Sequence, residues 1–102
     1  AIDCFNRTIE IDPNNTYAYN NKGNSLKNLK KYEEAIQCYN KCIQNDSNYI
    51  NAYYNKGNSL LNLKKYDDAI ECYNICLQIN PKDTDALKSK NFALKHVKKD
   101  DC

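Results

Sequence analysis

Arginine is almost absent: Arg7 is the only one in 102 residues. A nucleic-acid surface needs clustered Lys and Arg and a clearly basic pI. A net charge of +2 and a pI near 8.2 fall short of that, so no nucleic-acid partner is expected. No apolar run approaches the roughly 18 residues that a membrane span requires, and no signal-peptide pattern opens the chain. No membrane association is expected, and the cytoplasm, or alternatively the nucleus, is the expected location. Histidine occurs once, as His96, and no Gly-rich phosphate loop or Ser/His/Asp set is present. Without these groups the chain has no catalytic constellation. It is expected not to be an enzyme, and to carry no cofactor and no metal.

Glycine and proline are scarce but regular. Gly23 and Gly57 lie 34 residues apart, and Pro13 and Pro81 lie twice that distance apart. The whole chain follows this period. Residues 50–83 align without a gap on residues 16–49, with 20 identities in 34. Residues 1–15 match the second half of the unit, and 84–102 match its first half. A fixed period of this length marks a repeat array, in which each unit buries its apolar face against its neighbours. The chain divides into half a unit (1–15), two complete units (16–49 and 50–83) and a further half unit or capping helix (84–102). Because it opens at Ala1 in mid-repeat, it is expected to be a piece of a longer protein.

Apolar residues recur at spacings of three and four, never two, so helices are expected and no strand. Ala1, Ile2, Phe5 and Ile9 mark a helix over 1–11. Ala18, Tyr19, Gly23 and Leu26 mark one over 16–28. Tyr32, Ala35, Ile36, Tyr39, Cys42 and Ile43 mark one over 32–45. Residues 50–79 repeat that pair, and Ala86, Leu87, Leu94 and Val97 mark the apolar side of a last helix. Residues 12–15, 45–48 and 80–83 are turns; the second of these is expected to supply capping side chains to the next helix. Asp67-Asp68 and Glu33-Glu34 open second helices, where the helix dipole favours acids. A mid-helix glycine costs roughly 1 kcal/mol against alanine. Gly57 is therefore expected to permit close approach, letting Ala69 of the partner helix pack on its backbone, with Tyr53 and Tyr73 filling the gaps around that contact.

These residues form a recognisable pattern: Tyr53-x2-Lys56-Gly57-x2-Leu60, then Ala69-x3-Tyr73, then Pro81. The preceding unit has Tyr19, Lys22, Gly23, Leu26, Ala35 and Tyr39, with Ser47 where proline would stand. The pattern resembles the tetratricopeptide repeat, W-x2-L-G-x2-Y, A-x3-F, P. Lys22 and Lys56 depart from the usual leucine; their stems are expected to pack while the ammonium reaches water. The resemblance implies an all-α solenoid of antiparallel helix pairs, about six helices wound into a right-handed superhelix. It also implies a protein-interaction scaffold that binds a peptide or helix of a partner protein in a concave groove lined by first helices.

The groove residues implied are Tyr17, Asn20, Asn21, Asn24 and Asn28 in one unit, and Asn51, Tyr54, Asn55, Asn58 and Asn62 in the next. Lys88 and Phe92 follow on the last helix, with Asp85, Ser89 and Lys95. Asparagine both donates and accepts, so it can pair with peptide bonds whatever the side chains. Asn21 and Asn55 share a register and resemble the asparagine ladder of the O-GlcNAc transferase repeats; Asn24 and Asn58 form a second row. The alternative is that these are solvated faces of a chain with 17 asparagines. Co-chaperone members of the family clamp a terminal carboxylate with Lys, Asn, Asn, Lys and Arg. This chain keeps Asn24 and Asn55 but has Asn20, Asp85 and Ser89 at the cationic positions. A degenerate clamp of this kind is an alternative reading. Head-to-tail self-association through the terminal helices, or service as one slice of a longer superhelix, is another.

Five of the six cysteines share registers (Cys4, Cys38 and Cys72; Cys42 and Cys76). Equivalent residues on neighbouring helices stand about 8–10 Å apart, beyond disulfide reach. Free thiols acting as small apolar packing residues are expected, with Cys102 the one most open to oxidation. His96 is expected on the helix surface.

Overall fold

A computed structural model describes residues 16–100, with side chains described as far as Val97. The described residues form five helices. These are α1 (Thr16–Asn28), α2 (Tyr32–Asn45), α3 (Ile50–Asn62), α4 (Tyr66–Ile79) and α5 (Thr84–Asp100). The helix expected over 1–11 lies outside the described residues. Consecutive helices pack as antiparallel pairs. The first helices also form a row, since the backbone of α1 comes close to α3 and that of α3 to α5, whereas the backbones of α2 and α4 stand further apart. A row in contact beside a row held apart makes the stack curve, with α1, α3 and α5 on the inside. The fold is an α-solenoid.

The helix ends follow from local chemistry. Lys31 N–H reaches Leu26 O at 2.8 Å and Lys30 N–H reaches Lys27 O at 2.9 Å. This is the Schellman pattern, and it requires a left-handed residue after the helix. Lys30 supplies it at φ 63°, and Lys64 repeats it at φ 62°. The two-residue turn thus folds through lysine where glycine would be unstrained.

The turn over 45–48 differs from expectation. Asp46 Oδ1 accepts from Asn48 N–H at 3.1 Å, within the turn itself. Tyr49, which precedes α3, makes no side-chain cap. Asp46 stands three residues before the N-cap position, too early to reach the α3 amides. A true cap occurs one repeat on, where Asp83 Oδ1 accepts from Ala86 N–H at 3.1 Å.

Tyr39, Cys42, Tyr73 and Cys76 are fully buried and form the core with Ala35, Ala52 and Ala69. The nearest neighbour of each glycine is the tyrosine ring rather than the alanine expected to pack there. A Cβ on Gly57 would lie 2.7 Å from the Tyr73 ring, and one on Gly23 would lie 2.6 Å from the Tyr39 ring. The ring edge needs the space because the tyrosine reaches across the first helix towards the inner face.

The last helix buries only part of the set expected, Ala86 and in part Val97. Ala86 and Ala93 are buried, whereas Leu87 and Leu94 are exposed. Leu94 is the register equivalent of Leu60, which is buried by its pairing with α4. Among the described residues no helix follows α5 to cover it. The half-buried His96 also differs from expectation. Its ring stacks on Tyr66 at 5.2 Å and meets Phe92 at 4.3 Å.

Candidate peptide-binding groove

The inner face is built from α1, α3 and α5, and buried tyrosines organise it from behind. Tyr39 OH donates to Asn24 Oδ1 at 2.7 Å, and Tyr73 OH donates to Asn58 Oδ1 at 2.6 Å. Burial, followed by the neighbouring thiols Cys38 and Cys42, pushes the Tyr39 hydroxyl well above its ordinary range. Burial does the same to Tyr73, opposed by a hydrogen bond from Ser89. Both phenols therefore stay protonated and act as donors. Tyr73 of α4 is thereby bonded to Asn58 of α3, with Ser89 of α5 close to its hydroxyl.

Each bond fixes an amide. With Oδ1 of Asn24 and Asn58 satisfied from the core side, their Nδ2 groups remain available, and neither has a protein acceptor among the described residues. Asn55 runs the other way. Its Nδ2 donates to Asn20 Oδ1 at 3.3 Å, leaving its own Oδ1 to accept. The face thus offers fixed donors at Asn24 and Asn58 and a fixed acceptor at Asn55, the complement of an extended backbone.

The remaining candidates fall in several places. Asn20 is buried and takes part in linking α1 to α3. Asn21 is half-buried and is not the partner of Asn55. Tyr54 is half-buried, its ring 6.0 Å from that of Tyr73. Asn28, Asn51 and Lys88 are exposed, as is Tyr17 at 67%. Exposed Asn62 turns its Nδ2 back to Asn58 O at 2.9 Å. Phe92 is 50% exposed and packs against His96. Tyr39 and Tyr73 were not among the sequence candidates. Their signal was present: a tyrosine follows the row asparagine by 15 residues in both units.

Residues 16–49 and 50–83 each match the tetratricopeptide repeat model. The chain belongs to the tetratricopeptide repeat family. No curated protein matches it significantly. Among solved structures, the first tetratricopeptide domain of human RPAP3 superposes with a TM-score of 0.94 at 24% identity. That match covers 97% of this chain and 78% of the other. The first such domain of Spaghetti (RPAP3), bound to the HSP90 peptide SRMEEVD, gives 0.92 at 24% identity over 94% and 76%. The TPR2B-domain–pHsp70 complex of yeast Sti1 gives 0.83 at 24% identity over 97% and 82%. At these identities the likeness establishes the tetratricopeptide fold.

Within that fold the thiols are structural. Cys38, Cys42, Cys72 and Cys76 are buried and free. Cys42 Sγ donates to Thr16 O at 3.1 Å and Cys76 Sγ to Ile50 O at 3.7 Å, tying each second helix to the start of its first. Burial raises Cys42 and Cys76 from the ordinary thiol value near 9 to about 12, and Cys72 to about 11. Thiols held protonated are poor nucleophiles and poor metal ligands. No helix among the described residues is long and apolar enough to cross a membrane.

Proposed function

We propose that this chain is a protein-interaction module whose inner face binds an extended peptide or helix of a partner protein. The observation that carries this reading is the fixed set of amides. Asn24 and Asn58 are locked as donors by buried tyrosines, and Asn55 is locked as an acceptor by Asn20. Preorganised groups lose little entropy when they pair, which favours binding. Tyr17, Tyr54 and Phe92 add aromatic surface along the same face. Relatives of the same fold support the reading, since their structures hold HSP90 and HSP70 peptides.

The mode differs from a carboxylate clamp. Asn20 is occupied, Ser89 is neutral where an arginine would stand, and Asp85 puts a negative charge at another of the cationic positions. Tight capture of a free terminal carboxylate is not expected here, and micromolar binding that requires one would contradict this mode. The groove is tested by selecting peptides from a random library on the wild-type chain. Their affinities are then compared on a variant with Asn24, Asn55 and Asn58 changed to Ala. A loss of tenfold or more is expected, and equal affinity on a folded variant removes the assignment.

A second reading has one observation in its favour. Leu87 and Leu94 are exposed on α5, on the side where α4 covers α3. Residues 1–15 of another copy, which resemble α4 in sequence, are the candidate cover. Asn91, in place of the packing glycine, opposes it. A strictly monomeric sedimentation profile at high concentration would eliminate self-association.

A further inference from the structure

We propose that the corner of the groove between the C-terminal ends of α1 and α3 is a carboxylate site that receives an acidic side chain of the bound peptide. The inference rests on the groove reading and names the chemistry of its occupant.

The corner is a hollow of about 430 Å³. Two lysines, Lys27 and Lys30, and three amides, Asn28, Asn58 and Asn62, line it with Tyr32. Leu61 is its one aliphatic wall, and no acid borders it. Lys27 is half-buried and makes no ion pair among the described residues. Burial alone depresses its pKa, with no anion to restore it. An ammonium in that state gains most from an arriving carboxylate, because the cost of desolvating it has already been met. Lys30 also borders the adjoining hollow that holds Glu33 and Glu34, so its charge is shared while that of Lys27 is not.

The donors converge. Asn58 Oδ1 is taken by Tyr73, so the amide must present Nδ2, and an amide N–H complements a carboxylate but not another cation. The equivalent corner one repeat on is lined differently. His96 and Phe92 replace Asn62 and Asn58 there, and their rings pack together beside Tyr66. Among the described residues the two corners thus differ in charge, and that asymmetry assigns the register of an acidic residue along the groove.

The probe is a fluorescent nine-residue peptide with two central glutamates and an amidated C-terminus, set against its Glu→Gln twin. Amidation removes any terminal carboxylate. Anisotropy is read on the wild type, Lys27→Gln, Asn55→Ala, and Lys41→Gln as a control on the exposed side of α2. The expected result is at least fivefold weaker binding of the Gln twin, and the same loss for the Glu peptide on Lys27→Gln but not on Lys41→Gln. Raising the salt should weaken the Glu peptide selectively. If the two peptides bind equally and Asn55→Ala weakens both, the carboxylate site is overturned and the groove reading stands. If neither binds up to millimolar concentration, the carboxylate site is overturned and the groove reading is left to the library selection.

Discussion

Gly57→Ala is expected to destabilise the protein although alanine is the better helix former. The propensity change alone would stabilise by about 1 kcal/mol. Against it stands a Cβ placed 2.7 Å from Cε1 and 3.0 Å from Cζ of Tyr73. The ring has no easy retreat. It is fully buried, its hydroxyl is bonded to Asn58 at 2.6 Å, and Tyr54 packs beside it. Overpacking of this kind costs about 1–3 kcal/mol, and a ring held at both ends puts the cost near the upper limit. The net loss should be about 1–2 kcal/mol in urea unfolding at 25 °C. The decisive arm is the same change made in a Tyr73→Leu background. With the ring edge gone, Gly57→Ala should turn stabilising by up to about 1 kcal/mol, a coupling of about 2–3 kcal/mol between the sites. Gly57→Ala that stabilises the otherwise native protein, or that has the same effect in both backgrounds, refutes the account of why the glycine is there.

Tyr73→Phe should cost about 1 kcal/mol, by leaving the half-buried Asn58 Oδ1 without its donor, and should weaken selected peptides as that amide loses its fixed orientation. Lys64→Gly should stabilise by about 0.5–1 kcal/mol, relief of left-handed strain outweighing the entropy of glycine; a loss in urea unfolding would contradict the Schellman account. The thiols give a pH signature. Their folded pKa values are raised, so the folded state holds protons that the unfolded chain gives up. Stability should be flat below about pH 8.5 and fall as pH rises between about 9 and 12, the window from the ordinary thiol value to that of Cys42 and Cys76. Cys42→Ala with Cys76→Ala should shrink that slope in urea midpoints. A slope unchanged by the double substitution would remove the thiols as its source, leaving Tyr39 and Tyr73.

The helices of the two complete repeats were legible because turn residues, glycine register and three-four spacing all agree in them. The last helix was less so. Its leucines suggested the buried side, yet burial is decided by which neighbour is present, and α5 meets α4 through Ala86 and Ala93. The glycine contact was assigned to Ala69 because spacing identifies small residues but not how far a tyrosine ring reaches. The asparagine rows were visible as registers. Which atom of each amide faces the groove was not, since that depends on the tyrosine behind it and on Asn20 bonding across to Asn55 rather than Asn21. Lys27 carried no distinguishing signal in the sequence. Only the packing of α1 against α3 leaves it half-buried beside three amides with no acid.

The central claim is that the first helices bind and the second helices build. Chemical-shift mapping of a library-selected peptide on the isotope-labelled chain tests it most directly. The account predicts saturable shifts at Asn24, Asn55, Asn58 and Phe92 on α1, α3 and α5, with Gln37, Lys41 and Glu71 on the outer faces of α2 and α4 unmoved. Shifts confined to those outer residues, with the asparagine rows silent, would contradict it.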